Sequence, residues 1–230
     1  MDEGQALMRF LGIALAVILS LSAAFGQSQL VRNLRQGTPQ VLVVYGTSLS
    51  AGEGGKAWVT ALADELNKRY GNRLSCHNAG KPAMWSTWGV QHLEDSVVRR
   101  KPDAVLIEFA INDAFTPYYT SPQLARLNLE YMINRLRLTN PDCEIILQLM
   151  NPPIGQHAAD RPELSAYYQV YRKVAKKYKL LLIDHDTYWR NILLAGTEAF
   201  RVWVPDGIHP SAESARSLIA PFILQALEAR

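Results

Sequence analysis

The chain reads as an α/β protein, a three-layer α/β/α sandwich built on a five-stranded parallel sheet. Three observations predict it. Five short apolar runs recur along the chain, each is followed by a stretch with helical spacing, and no linker or repeat interrupts the alternation. At 230 residues, 48% hydrophobic and 20% charged, the chain suits one domain with a substantial core. Strands that alternate with helices pair in parallel, with helices covering both faces of the sheet.

The elements follow in order. Val41 to Tyr45 is a continuous apolar run that stops at Gly46, as a strand covered on both faces does. From Lys56 to Tyr70 the spacing is helical, with Trp58, Leu62 and Leu66 four apart and Val59 and Ala63 beside them. Gly71-Asn72 ends that helix. Leu74 to His77 is a second strand, and Thr87 to Arg100 a helix after it. Ala104 to Phe109 is the third strand. Ser121 caps and Pro122 opens the helix that runs to Leu138. Glu144 to Leu149 is the fourth strand, Pro162 to Tyr178 a helix, Leu180 to Ile183 the fifth strand, and Ser211 to Leu227 the last helix.

Ahead of this domain, assigned to residues 41–230, lie a polar lead-in over 27–40 and a distinct first segment over 1–26. From Phe10 to Leu21 that segment runs FLGIALAVILSL without a charge. A membrane span takes about 20 residues, so the run fits the apolar core of a secretory signal better. Arg9 precedes it, and Ala24-Phe25-Gly26 offers small residues for a cut before Gln27. Asp2 and Glu3 are unusual in a signal's leading region, which leaves an uncleaved N-terminal anchor as the alternative. The expectation is export, to the periplasm or outside the cell, with membrane contact only if the segment stays attached.

The formal net charge of +3 is small, and the basic residues are scattered rather than interleaved with aromatics. That pattern excludes a nucleic-acid partner and marks solvated helix faces instead. No His/Cys/Asp/Glu cluster has metal-binding spacing and no Gly-rich phosphate loop is present, so neither a metal nor a cofactor is expected. With strand order 2-1-3-4-5, Cys76 and Cys143 lie three inter-strand steps apart, roughly 14 Å, which is beyond disulfide reach. Two free, buried thiols are expected.

In open parallel sheets, ligands gather beyond the carboxyl ends of the strands. The unusual residues fall there: Gly46-Thr47-Ser48, Asn78-Ala79-Gly80, Asn112-Asp113 and Asn151-Pro152-Pro153 follow strands one to four, and Asp206 to His209 form a later loop. From Val41 to Ala229 these blocks resemble those of the SGNH (GDSL-like) hydrolase family, whose fold is flavodoxin-like. Gly46-Thr47-Ser48-Leu49 is similar to the G-D-S-L block, Gly80 matches the glycine of the second, Ala110-Ile111-Asn112-Asp113 resembles G-x-N-D, and Asp206-Gly207-Ile208-His209-Pro210 fits D-x-x-H-P.

The resemblance implies a serine esterase with Ser48 as nucleophile, His209 as general base and Asp206 as its orienting acid. It also implies an oxyanion hole made of the Ser48 and Gly80 backbone N–H groups and the Asn112 side-chain amide. The physical requirements agree. A serine hydroxyl needs a base within hydrogen-bond reach, the base needs its tautomer fixed, and the developing oxyanion needs preorganised donors. Two positions depart from the pattern. Thr47 replaces the usual aspartate but can still hydrogen-bond locally, and Ala110 replaces a glycine, adding a methyl that would narrow the site.

Among the other histidines, His185 has tempting neighbours in Asp184 and Asp186, but adjacent strand residues point to opposite faces. Aromatics crowd the rim. Trp85, Trp88, Tyr118 and Trp203, with Phe115 and Tyr119 nearby, are candidates with Thr47 to line the substrate site, as loop packing or as a flat wall for a sugar or acyl group. The expected substrate is a small-molecule or polysaccharide ester carrying a short acyl group, with acetylated carbohydrate favoured. A lysophospholipase or thioesterase, a cell-wall O-acetyltransferase and a carbohydrate-binding pseudoenzyme are the alternatives.

Overall fold

Five strands pair in parallel in the order β2-β1-β3-β4-β5: β1 (Gln40–Gly46), β2 (Leu74–Asn78), β3 (Ala104–Glu108), β4 (Glu144–Leu149) and β5 (Leu181–Asp184). This computed structural model describes residues 27–229, so the expected signal or anchor, residues 1–26, lies outside the described residues. Leu42 sits opposite both Cys76 and Ala104, and Ala104 opposite Glu144, which fixes the register across the centre of the sheet. β1 and β3 are buried almost throughout, as the apolar runs require of central strands covered on both faces.

The expected helices form close to their sequence limits. After the short α2 (Ser48–Ala51) come α3 (Glu53–Tyr70) and α4 (Ser86–Ser96), the latter continued by a 3-10 turn, Val98–Arg100. The four-residue α5 (Ala110–Asp113) follows β3, and α6 (Pro122–Thr139) opens on Ser121, whose side chain accepts the Leu124 amide at 3.2 Å. Beyond β4 lie α7 (Gln156–Ala159) and α8 (Leu164–Tyr178). The last helix runs from α11 (Ala212–Ser214) through a π-helical turn, Ala215–Ile219, into α12 (Ala220–Glu228).

Besides the four-residue α2, α5 and α7, three longer helices were not expected. α1 (Gln29–Arg35) corrects the polar lead-in: Leu30, Val31 and Leu34 are buried in the core, so the domain begins before Val41. Glu144 serves as its distant cap, accepting the Leu30 amide at 2.7 Å and the Ser28 hydroxyl at 2.6 Å. The Ser28 amide in turn donates to the Leu227 carbonyl at 3.1 Å. Both ends of the described chain therefore meet at the amino-terminal edge of the sheet, where β4 starts. α9 (Asp186–Leu194) and α10 (Thr197–Trp203) fill the stretch between β5 and the last helix, with Trp189 and Phe200 fully buried.

Cys76, on β2, and Cys143, just ahead of β4, are both free, with β1 and β3 between them. Cys143 is buried, whereas Cys76, on the edge strand, is half-buried and not fully covered as expected. Burial pushes both thiols up to about 12, which keeps them protonated at neutral pH.

Candidate active site

The carboxyl ends of the parallel strands share one rim, and the blocks singled out in the sequence come together there. Ser48 Oγ lies 2.8 Å from His209 Nε2, and His209 Nδ1 lies 2.6 Å from Asp206 Oδ2. The carboxylate beside Nδ1 places the ring proton there, so Nε2 is left to accept the serine hydroxyl. Asp206 Oδ1 also accepts the His209 amide at 2.7 Å and the Ile208 amide at 2.9 Å. Burial pushes the Asp206 carboxyl up, but these amides and the His209 ring outweigh it and hold the group below its ordinary value. The site is open: the His209 and Asp206 side chains are 43% and 51% exposed.

Local structure explains the convergence. Gly207 carries φ +89°, a left-handed turn that folds the loop so tightly that Asp206 can bond its own third neighbour. The loop is held from β4: Asn151 Nδ2 donates to the Ile208 carbonyl at 3.0 Å, and the Ile154 amide to the Gly207 carbonyl at 2.8 Å. Asn151-Pro152-Pro153, noted in the sequence without a role, is this support. From the other side, Gly54 of α3 packs so close to the Pro210 carbonyl that a side-chain carbon could not fit between them.

The expected oxyanion donors are placed unequally. The Ser48 amide makes no hydrogen bond among the described residues and is open. Asn112 Nδ2 donates one hydrogen to the Met84 carbonyl at 2.9 Å, which leaves its second hydrogen available. The Gly80 N–H is not free, because Asn78 Oδ1 accepts it at 3.0 Å. This Asx-type contact follows from Asn standing two residues ahead. Three residues on, Ala83 has φ +60°, rare for a residue with a side chain, and its amide has no partner among the described residues.

The two departures from the family pattern resolve differently from expectation. Thr47 is fully buried, so it cannot line the substrate site. Its hydroxyl accepts the Leu49 amide at 3.1 Å and donates to Glu108 Oε2 at 2.9 Å, and its own amide reaches the same oxygen at 3.1 Å. Ser50 Oγ adds a contact at 3.3 Å. Burial pushes Glu108 up to about 8 against these donors. Ala110 is likewise in the core and does not narrow the site. Asp113, beside Asn112, is structural: its Oδ1 accepts the Ser86 amide at 2.9 Å, and burial pushes it up to about 7.

His185 stays out of the site. It is buried against Phe222 with ring centroids 4.4 Å apart, its Nε2 lies 3.2 Å from Gln148 Nε2, and burial pushes it down to about 3. Asp184 and Asp186 turn instead to Arg172, at 2.8 and 3.0 Å. The aromatics divide. Trp85 stacks on Tyr118 at 4.4 Å, and the Tyr118 hydroxyl donates to the Ala83 carbonyl at 2.6 Å, on the loop that holds Asn112. Trp88 packs on Tyr45 and His92, and Trp203 against the core, each of them half-buried. Among the described residues, no three His, Cys, Asp or Glu side chains are grouped to hold a metal ion.

Known proteins share this family pattern and this fold. The model of the GDSL-like Lipase/Acylhydrolase family matches residues 44–216. No curated protein sequence matches the chain. Among solved structures, a lipase/acylhydrolase from Enterococcus faecalis is 23% identical with a TM-score of 0.68, over 81% of this chain and 94% of that one. A catalytic mutant of Axe2, an acetylxylan esterase from Geobacillus stearothermophilus, is 20% identical with a TM-score of 0.69, over 83% and 94%. TesA is 25% identical with a TM-score of 0.64, over 82% and 98%.

Proposed function

Because this chain belongs to the GDSL-like lipase/acylhydrolase family, a group of ester-hydrolysing enzymes, we propose that it removes short acyl groups, acetyl foremost, from carbohydrate. His209 takes the proton of Ser48 as the hydroxyl attacks the ester carbonyl, and Asp206 holds the resulting imidazolium. The oxyanion that develops is met by the Ser48 amide and the free Asn112 N–H. His209 then returns the proton to the departing sugar hydroxyl, and water, activated by the same ring, releases the acid from the acyl-serine.

The Trp85–Tyr118 stack beside Asn112 carries the choice of substrate class. A flat aromatic face suits the apolar face of a sugar ring, and an exposed His209–Asp206 pair suits a polymer that cannot enter a deep cavity. The acetylxylan esterase among the similar folds is in keeping with this reading. Export of the protein, through residues 1–26, is part of the same proposal, since such polymers lie outside the cell.

Acetate release from acetylated xylan, together with a nitrophenyl ester series of increasing chain length, tests the reading. Wild type should favour acetate, and Ser48→Ala should lose at least about 10³-fold in kcat. A preference for long acyl chains would replace the carbohydrate reading with a lipid-directed one, and hydrolysis untouched by Ser48→Ala would end both.

A further inference from the structure

We propose that Arg161 is a positioning residue for the oxyanion hole: its guanidinium orients the Asn112 amide and lends the free N–H the field of a charge that no carboxylate contacts. The proposal rests on the esterase reading above. Arg161 follows α7 and is only 8% exposed, although arginine is almost never buried without a partner. Among the described residues no carboxylate comes within 4.0 Å of it. Its fork is spent on neutral oxygens instead. Nε donates to the Ile111 carbonyl at 2.8 Å, Nη1 to the His157 carbonyl at 3.0 Å, and Nη2 faces Asn112 Oδ1 at 3.4 Å. Phe115 covers the guanidinium, 4.8 Å from its ring centroid.

The two carbonyl contacts hold the guanidinium in place, and the third settles which way Asn112 lies. With Oδ1 toward Arg161, Nδ2 meets the Met84 carbonyl at 2.9 Å. Turned over, the amide would set its NH2 against a cation and its oxygen against a carbonyl, so both contacts would become repulsive. One orientation survives, and in it a single N–H remains for the substrate. A donor fixed in advance needs no reorganisation as the oxyanion forms, which is where such groups act most strongly. Burial pulls the guanidinium down from its ordinary value, yet arginine stays protonated at any working pH. In this enclosed setting its charge is weakly screened, and it favours the negative transition state over the neutral ester. Lysine would keep the charge but not the three-way fork.

The test is a four-enzyme cycle on p-nitrophenyl acetate: wild type, Arg161→Met, Asn112→Ala and the double variant, with kcat and KM measured separately. Asn112→Ala should lower kcat about 100-fold, and Arg161→Met about 10- to 100-fold, with KM changing less than about threefold. The double variant should fall within about threefold of Asn112→Ala alone, because Arg161 has nothing left to act through. Losses that multiply, or a loss confined to KM, overturn the proposal. If Arg161→Met does not melt as a folded protein, Arg161→Lys replaces it in the cycle under the same criterion. Ser48→Ala separates the two levels of inference. An inactive Ser48→Ala with a multiplicative cycle removes only the role of Arg161, whereas an active Ser48→Ala removes the esterase reading itself.

Discussion

Thr47 gives both its amide and its hydroxyl to one oxygen of Glu108, at 3.1 and 2.9 Å, so the residue in front of Ser48 is tied to the last residue of β3. The nucleophile's position is thereby referred to a central strand. A threonine can do this because its hydroxyl accepts the Leu49 amide and still has a hydrogen to give, whereas an ionised aspartate at position 47 could only accept. The departure from the family's usual residue is thus matched by its neighbour.

Glu108 should make stability depend on pH. Burial raises its carboxyl to about 8, so between the ordinary glutamate value and about 8 the folded protein holds a proton that the unfolded chain has released. Stability contributed by that proton is complete below the unfolded value and is lost as pH rises through about 8. Glu108→Gln cannot titrate. Urea midpoints at about pH 5 and about pH 8.5 should show the variant gaining on wild type as pH rises. A constant gap between the two proteins would show that Glu108 does not carry the proton.

His185 should matter for acid stability and not for turnover. Burial lowers it to about 3, so as pH falls below the ordinary histidine value the unfolded chain takes up a proton that the folded one refuses. Wild type should lose stability from about pH 6.5 down toward about pH 3, and His185→Gln should lack that part of the decline. Esterase kcat of His185→Gln at neutral pH should stay within about threefold of wild type, while His209→Ala should lose at least about 10³-fold. The reverse pattern would move the general base to β5.

Gly54→Ala should damage a loop distant in sequence. Its new methyl meets the Pro210 carbonyl, and backbone cannot yield as a side-chain tip would. About 2–4 kcal/mol of stability should go, by the overpacking route, with kcat falling as His209 is displaced. Chemical denaturation and acetate release on one preparation read both effects.

Ala83→Gly should stabilise the protein. Alanine at φ +60° carries a strain of about 1–2 kcal/mol, of which glycine's extra freedom in the unfolded chain returns about half. A net gain of about 0.5–1 kcal/mol is expected from the shift in urea midpoint. A loss would mean that the methyl makes packing contacts worth more than the strain.

What could be read from the sequence was periodic or contiguous. The strands announced themselves because both faces of β1 and β3 are covered, and the site because Ser48 and Asn112 sit in short blocks after strands and His209 in a short block ahead of the last helix. α1 was passed over because its apolar contribution is only Leu30, Val31 and Leu34 within polar company. Its amino-terminal cap comes from Glu144, more than a hundred residues away. α9 and α10 each bury too few residues to show a long helical period.

The second tier of the site was hidden for a different reason. Glu108 left a signal, a carboxylate ending an otherwise apolar run, but nothing local tells that Thr47 will be its donor. Arg161 and Asn112 are 49 positions apart, and a lone arginine in a loop reads as solvated. The occupied Gly80 N–H depends on one side-chain rotamer of Asn78, which no spacing rule supplies. Blocks name the residues that react; the groups that hold them are found only once the chain is folded.

The Ser28–Leu227 contact and the Ser28–Glu144 bond bring residue 27 and the end of α12 to the edge of the sheet opposite Ser48. Anything joined at residue 27 or at residue 229, a bead, a carrier domain or a solid support, hangs from the far side of the molecule. Tethered at either point, the enzyme should still present Ser48 outward to a polymer too large to diffuse around it.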